Sequence, residues 1–451
     1  IGPDGREFFR SEKLYDNHQA KMPGVFEIDG IPCHAMICAD RWLRGVEEVP
    51  IQQGARISFE LSDNYDCEWV GPLGWYWYVP RALRNNVWVV LANGANAAAG
   101  VPDGLAWNPR LRHGHSAVIA PDGRLVAAAG EAATVILAEI DVGEASRAEA
   151  LARGSHPALR LFWEAGAKLL RGETVAAPPL VRLESPQIDI TLAVAQVVGP
   201  TDTLISRMRE ARSRGADVVV FPARVTGEDA VPAMQTAARE NDITVVFGAE
   251  HRSAQGLFNS AFVIGPDGAI LTRYDQLSAP SPYQPGTDPR AMWFQVKGVP
   301  AVVTIGRDAL WTELAELASV VGAQLYVHLD DYRDNAPGSR LRRLQVWSNM
   351  ASFKTFTAAA NVVDSGIWDD LSGAEETRHI VKATPKPDNG PIEIYSDFSA
   401  NLVVSATADQ PMIVTKRRVR KINPHHPART ANLNPQMDPW YRLGAAMIRP
   451  K

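Results

Sequence analysis

The chain repeats itself, and this constrains its fold more than any other feature. The pentapeptide IGPDG stands at Ile1–Gly5 and again at Ile264–Gly268. GIPCHAMICADRW (Gly30–Trp42) then faces GVPAVVTIGRDALW (Gly298–Trp311), and in both a glycine precedes a marked position, Cys38 or Gly306, by the same distance. Asp40 and Asp308 follow those positions at equal spacing, as do Gly54-Ala55 and Gly322-Ala323, and finally Asn93 and Asn361. Agreement over so many positions marks one supersecondary unit built twice.

Each copy reads as a buried strand, a tight turn, a helix, a second strand, and a further helix feeding an LAN or AAN strand end. This alternation predicts α/β layering. The second copy carries more on its N-terminal side. ITLAVAQVV (Ile190–Val198) predicts a buried strand, and TDTLISRMREARSRGA (Thr201–Ala216) an amphipathic helix with Thr201 or Asp202 as N-cap. DVVVFPA (Asp217–Ala223) predicts another strand, and Ala230–Glu250 a helix and a strand. The first copy has no counterpart of Gln187–Val263 in this sequence, so the expectation is an N-terminally truncated first domain. Proline and small residues mark the connection. The division expected is a first domain over 1–171, a linker over 172–186, a second domain over 187–423 and a C-terminal tail over 424–451.

A net charge of −5 with 22% charged residues shows no field that would select nucleic acid or a membrane surface. The one basic cluster, TKRRVRK (Thr415–Lys421), alternates with β-branched residues and predicts a strand with a solvated face. No apolar run reaches the ~18 residues of a membrane span, and the N-terminus lacks the features of a signal peptide. Three cysteines, Cys33, Cys38 and Cys67, argue against a disulfide framework and for a reducing, cytoplasmic compartment. Phosphate-loop, zinc and dinucleotide motifs are missing, and His425-His426 has no partners at ligand spacing, so neither metal nor cofactor is expected.

Taken together, FP-x after a strand, PDG followed by lysine, IC-x-D and QGA resemble the nitrilase superfamily of carbon-nitrogen hydrolases. The likeness extends over nearly all of both copies, including a closing segment at Gly114–Asp141. It implies α/β architecture of a particular kind: nitrilase-like α-β-β-α four-layer sandwiches in tandem, the first N-terminally incomplete. It also implies a glutamate base, a lysine that stabilises the oxyanion and a cysteine nucleophile. Placed by motif, the lysine is Lys13 and the cysteine is Cys38. The Ala39 N–H, just past the nucleophile, is a further oxyanion donor. Asp63 and Asn64 open the aromatic stretch Asp63–Pro80, where the family builds part of its pocket, and are candidate substrate contacts. His113 and His115 match a GHS segment and are expected to be structural.

The glutamate falls in the stretch the first copy lacks. Glu12 would point away from Lys13 along a strand, and Glu47 and Glu48 are expected to be solvated. In the second copy Ala223, Gln276 and Gly306 stand at the three positions, so it is expected to be non-catalytic. What both copies keep, Asp40 and Asp308 included, then serves turns and packing, while Cys33 and Cys67 are expected simply to be buried.

The leading expectation is hydrolysis of a small-molecule amide, rather than a nitrile, through Cys38 and Lys13 with a glutamate from outside this sequence and without a cofactor. A rival is an inactive binding or assembly protein on the same fold. A third expectation is a separate polypeptide, an N-terminal fragment, that supplies the strands and the base. Pairing of the two domains within the chain, and a homo-oligomer, are the further partner expectations.

Overall fold

The computed structural model describes residues 1–2, 4–15, 19–63, 78–95, 114–331, 356–360, 366–368, 403–405, 412–418 and 435–450. The chain forms two compact units, with Ile1–Pro178 as the body of the first and Pro179–Ala374 as the body of the second. The division falls inside the proline-rich connection.

In the first unit β1 (Phe26–Ile28) and β2 (Ile31–Ile37) form a hairpin. Asp29 and Gly30, both at positive φ, make the two-residue turn that matches the twist of paired strands. Helix α1 (Arg44–Gln52) leads to β3 (Ile57–Ser62), and α2 (Val79–Asn85) leads to β4 (Trp88–Asn93). β2, β3 and β4 are parallel, as strands joined by helices must be. β5 (Ala117–Ile119) and β6 (Leu125–Ala128) complete a sheet of order β1-β2-β3-β4-β5-β6. Helices α3 (Ala148–Ser155) and α4 (Arg160–Leu170) pack on α1.

The second unit opens with β7 (Asp189–Ala195), α5 (Thr201–Ser213), β8 (Val218–Val220), β9 (Thr226–Gly227) and α6 (Val231–Glu240). β10 (Thr244–Ser253), β11 (Gly256–Ile264) and β12 (Ile270–Asp275) follow. One face of each helix is apolar at helical spacing. Leu204, Met208 and Ala211 of α5, with Met234, Ala237 and Ala238 of α6, bury against Val219, Phe221, Val245 and Phe247. α5 begins after Pro200 without a side-chain cap. Thr201 and Asp202 lie inside its first turn rather than capping it, because the extended Pro200 already sets the entry geometry.

A further sheet is made by β13 (Trp293–Val296), β14 (Val299–Ile305), β15 (Leu325–Leu329), β16 (Phe356–Ala360), β17 (Gly366–Trp368) and β18 (Val403–Ser405), with α7 (Thr312–Val321) between β14 and β15. β19 (Met412–Arg418), which contains the start of the basic cluster, pairs antiparallel with β7. Its Lys416 reaches Asp189 at 2.9 Å. The two sheets face each other through β11 on β14 and through β7 and β8 on β16, giving the α-β-β-α sandwich. Late in the chain, α8 (Asp438–Ile448) carries Trp440, which belongs to the first unit. There Gly45 and Gly166 leave room for the ring, since a Cβ on either would sit 1.9 or 2.7 Å from it.

The repeat is a repeat of register. Cys33 lies opposite Ile57 and Ile57 opposite Trp88; with a constant offset of 268 residues, Ala301 lies opposite Leu325 and Leu325 opposite Phe356. Exposure differs between the copies. Leu61 is 53% exposed and its equivalent Leu329 is fully buried. No helix among the described residues is long and apolar enough to cross a membrane.

Candidate active site

β2 ends at Ile37, and Cys38 opens a short 3-10 turn, Cys38–Trp42. Cys38 has φ of 50°, the left-handed region that a residue with a Cβ adopts at a cost of about 1–2 kcal/mol. Its equivalent Gly306 opens the matching turn with φ of 59°.

The aspartate two residues on explains the turn. Asp40 accepts from the Ile37 N–H at 3.2 Å and from the Tyr15 N–H at 2.8 Å, tying the segment around Lys13 to the end of β2. Asp308 does the same in the second unit, accepting from the Ser278 N–H at 2.8 Å and the Leu277 N–H at 3.1 Å. Burial pushes the Asp40 carboxyl up to about 6 against those backbone donors, and Asp308 is pushed up for the same reason. Both aspartates are structural ties.

This tie brings Lys13 toward the cysteine turn. Lys13 is half-buried, its Nζ lies 5.9 Å from the centroid of the Tyr15 ring, and its charge acts on Asp40. In the second unit the residue in its place, Gln276, lies directly over the turn, so that a side chain at Gly306 would begin 2.8 Å from Gln276 Nε2. The Gln276 amide accepts from Asn259 at 2.7 Å and donates to Ser278 Oγ at 3.3 Å. The Ala223 N–H binds the Asp330 carbonyl at 2.9 Å. A neutral amide thus stands in the second copy where the first has the Lys13 ammonium.

Behind Cys38 lies a buried charge network. Arg41 Nη2 approaches Cys38 Sγ at 4.0 Å, while Nη1 binds Glu60 and the Tyr78 hydroxyl, the latter at 3.0 Å. Arg81 also binds Glu60 and donates to Glu47 at 2.6 and 2.9 Å. Ser58 Oγ donates to Glu47 at 2.7 Å, and Arg84 bridges Glu47 at 3.2 Å and Glu48 at 2.8 Å. Burial alone would raise the Glu47 carboxyl, but Arg81 and Arg84 bring it down to about 2. Glu47 and Glu48 are therefore not solvated, as expected from the sequence, but sealed between helices by arginines of α2 and α3.

The other expected residues are placed as follows. Ala39 is half-buried in the cysteine turn, Asp63 is half-buried just past β3, and Glu12 is exposed. Asn64, Cys67 and His113 lie outside the described residues. His115 is buried with φ of 58°, its N–H on the Gly130 carbonyl at 3.0 Å. Cys33 is fully buried, its Sγ 3.3 Å from the Ile31 carbonyl, and burial pushes its thiol up. Cys33 and Cys38 are both free. Arg41, Glu60 and Arg81 have no counterpart among the expected site residues, and Tyr78 falls within the expected aromatic stretch. The available signal was Glu60 on the same strand face as Ser58, in step with an arginine pair in the helix before β4. Among the described residues no three His, Cys, Asp or Glu side chains converge as a metal site requires.

A family model for carbon-nitrogen hydrolase matches residues 4–150 and 185–348. Among solved structures, an amidase from Nesterenkonia sp. is 16% identical, with 43% of this chain and 86% of that one covered and a TM-score of 0.37. The C. elegans NitFhit protein is 14% identical, with 52% and 62% covered and a TM-score of 0.40. No curated protein matches.

Proposed function

Because the chain belongs to the carbon-nitrogen hydrolase family, we propose that it hydrolyses a non-peptide carbon-nitrogen bond, in an amide rather than a nitrile, at Cys38 of the first unit. The observation that carries this reading is the backbone of Cys38. A half-exposed cysteine is kept in a left-handed conformation at a strand end, where the silent copy has relaxed to glycine.

In this reading Cys38 Sγ attacks the carbonyl carbon and the π pair moves to oxygen, opposed by the Lys13 ammonium and the Ala39 N–H. Collapse breaks the C–N bond, the amine leaves with a proton, and water cleaves the thioester. Asp63 and Asn64 contact substrate. Glu60 and Glu47 are already held by arginines, so neither is given the proton transfer in this reading. The second unit serves as a non-catalytic scaffold, and free thiols fit a reducing compartment.

The test is ammonia release from short aliphatic amides, with the acyl adduct on Cys38 read by mass. Release that Cys38→Ala abolishes is expected; turnover that survives this change sinks the reading. The engagement of the buried Glu47, Glu48 and Glu60 by arginine favours a second reading, a binding protein on the same fold. Absence of both ammonia and adduct across an amide panel would support it.

A further inference from the structure

We propose that Arg41 is the cation that holds negative charge on the Cys38 sulfur, and that Glu60, Tyr78 and Arg81 serve to fix Arg41 there. This rests on reading Cys38 as the nucleophile and adds a residue to that chemistry. The roles are distinct: Lys13 meets the substrate oxygen, and Arg41 meets the sulfur.

The geometry carries the argument. Arg41 follows Cys38 within the same 3-10 turn, and its Nη2 lies 4.0 Å from Sγ. Its other terminal nitrogen is engaged by Glu60, Tyr78 and, at 3.3 Å, Ser62 Oγ. The Arg41 side chain is 8% exposed and that of Glu60 is fully buried, so water screens neither well. Glu60 is in turn held by Arg81, and Arg81 by Glu47, which extends the clamp through β3 into α1 and α2. A guanidinium stays charged at every working pH, so Arg41 cannot act as a base and acts only through its field.

The second unit supplies the control. With the shared register, Ala309 stands where Arg41 stands and His328 where Glu60 stands, with His328 bound to Thr304 at 3.0 Å. Where the turn carries glycine, Ala309 and His328 replace the arginine and its carboxylate, and the arginine of that turn, Arg307, stands one residue after the glycine rather than three. Burying several ion pairs is expensive unless each partner is satisfied, and beside Cys38 Arg41, Glu60 and Arg81 satisfy one another.

Alkylation of Cys38 by iodoacetamide tests this, because the sulfur displaces iodide and forms one S–C bond without needing amide turnover. In a Cys67→Ser background, peptide masses give the Cys38 rate. Arg41→Met is expected to slow it about tenfold or more near ~pH 7 and less than about threefold near ~pH 9.5, with Arg41→Lys recovering most of the loss. The surface change Arg160→Met should leave the rate alone. A rate for Arg41→Met within about twofold of wild type at ~pH 7, or an equal loss at both pH values, overturns the proposal. If Arg41→Met does not fold, Tyr78→Phe keeps the charge but loosens it; several-fold slower alkylation at neutral pH is expected, and an unchanged rate overturns the proposal. Alkylation that follows this pattern without ammonia release from any amide overturns the hydrolase reading and leaves Arg41 in its role. Cys38-dependent ammonia release with an indifferent Arg41 overturns only the latter.

Discussion

The two turns at Cys38 and Gly306 have the same backbone and different contents. Both start with a left-handed residue at the end of a parallel strand, and both are tied by a buried aspartate to the segment that precedes the hairpin. In the first, a sulfur faces an arginine clamped by Glu60 and Tyr78; in the second, a glycine lies under a glutamine amide. The turn therefore asks only for a left-handed residue and an aspartate. Cysteine at that position is an added burden that packing does not require, and the charge network accompanies it. Strain and buried charge occur together in the first copy, which is why the proposed chemistry is assigned to it.

Exchanging the contents tests this most strongly. Cys38→Gly, which installs the second copy's residue, is expected to lower amide turnover by at least about a thousandfold. The same change should leave the first unit as stable or about 1 kcal/mol more stable, measured by chemical denaturation. Equal losses of activity and stability would mean that Cys38 is a packing residue and would collapse the contrast. Next comes the network. The second copy has Ala315 where the first has Glu47, and Glu47→Ala should cost about 3–5 kcal/mol because Arg81 and Arg84 would remain buried without their shared carboxylate. A cost below about 1 kcal/mol would show that water or a neighbour satisfies those guanidiniums.

These contrasts also separate what the sequence reveals from what it conceals. The spacing from Gly30 to Asn93 and from Gly298 to Asn361 foretold the strand register, because parallel strands joined by turns and helices of equal length must fall into equal register. Asp40 and Asp308 could be read as structural because the copy with glycine in place of the cysteine keeps the residue. The network could not be read in this way. Charged residues on a helix are solvated far more often than not, and the partners that bury Glu47 and Glu48 come from α2 and α3, on the far side of β3. β3 hides its role further, because Ser58 and Glu60 point into the helix layer while Phe59 and Leu61 turn to the other face, the reverse of the usual polar-out alternation. Local pattern carries no information about a partner more than thirty residues away.

The opposite faces of the two equivalent sheets give a smaller, graded test. Leu329 lies fully buried between the sheets of the second unit, whereas Leu61 is 53% exposed. Leu329→Ala should cost about 2–5 kcal/mol in the second unit, through lost transfer energy and a cavity. Leu61→Ala should cost less than about 1 kcal/mol, since most of the side chain is already in water. Paired denaturation curves decide it, and comparable losses would show that this face of the first sheet is covered in solution.

The smallest effect is a difference in acid sensitivity. His34 is fully buried in β2, and burial lowers its pKa to about 4 in spite of the nearby Glu47 charge; its register equivalent in the second unit is Val302. Unfolded, a histidine takes up its proton near ~6.5, so the native first unit binds fewer protons than the unfolded chain between that value and about 4. The stability tied to neutral His34 is thus complete above the unfolded value and is lost as the pH falls, by on the order of 2 kcal/mol at ~pH 5. Asp40 works in the other sense, since its raised pKa favours the folded state on acidification. Asp308 is raised as well, so this contribution has the same sign in both units. Glu47, held near 2, stays ionised throughout this range and adds no slope there beyond that of an ordinary carboxylate titrating in the unfolded chain. His34→Val should therefore remove a step in the first unit's stability between neutral and mildly acid pH and leave that of the second untouched. A wild-type first unit already flat across that range would mean that the imidazole finds a proton-sharing partner on folding.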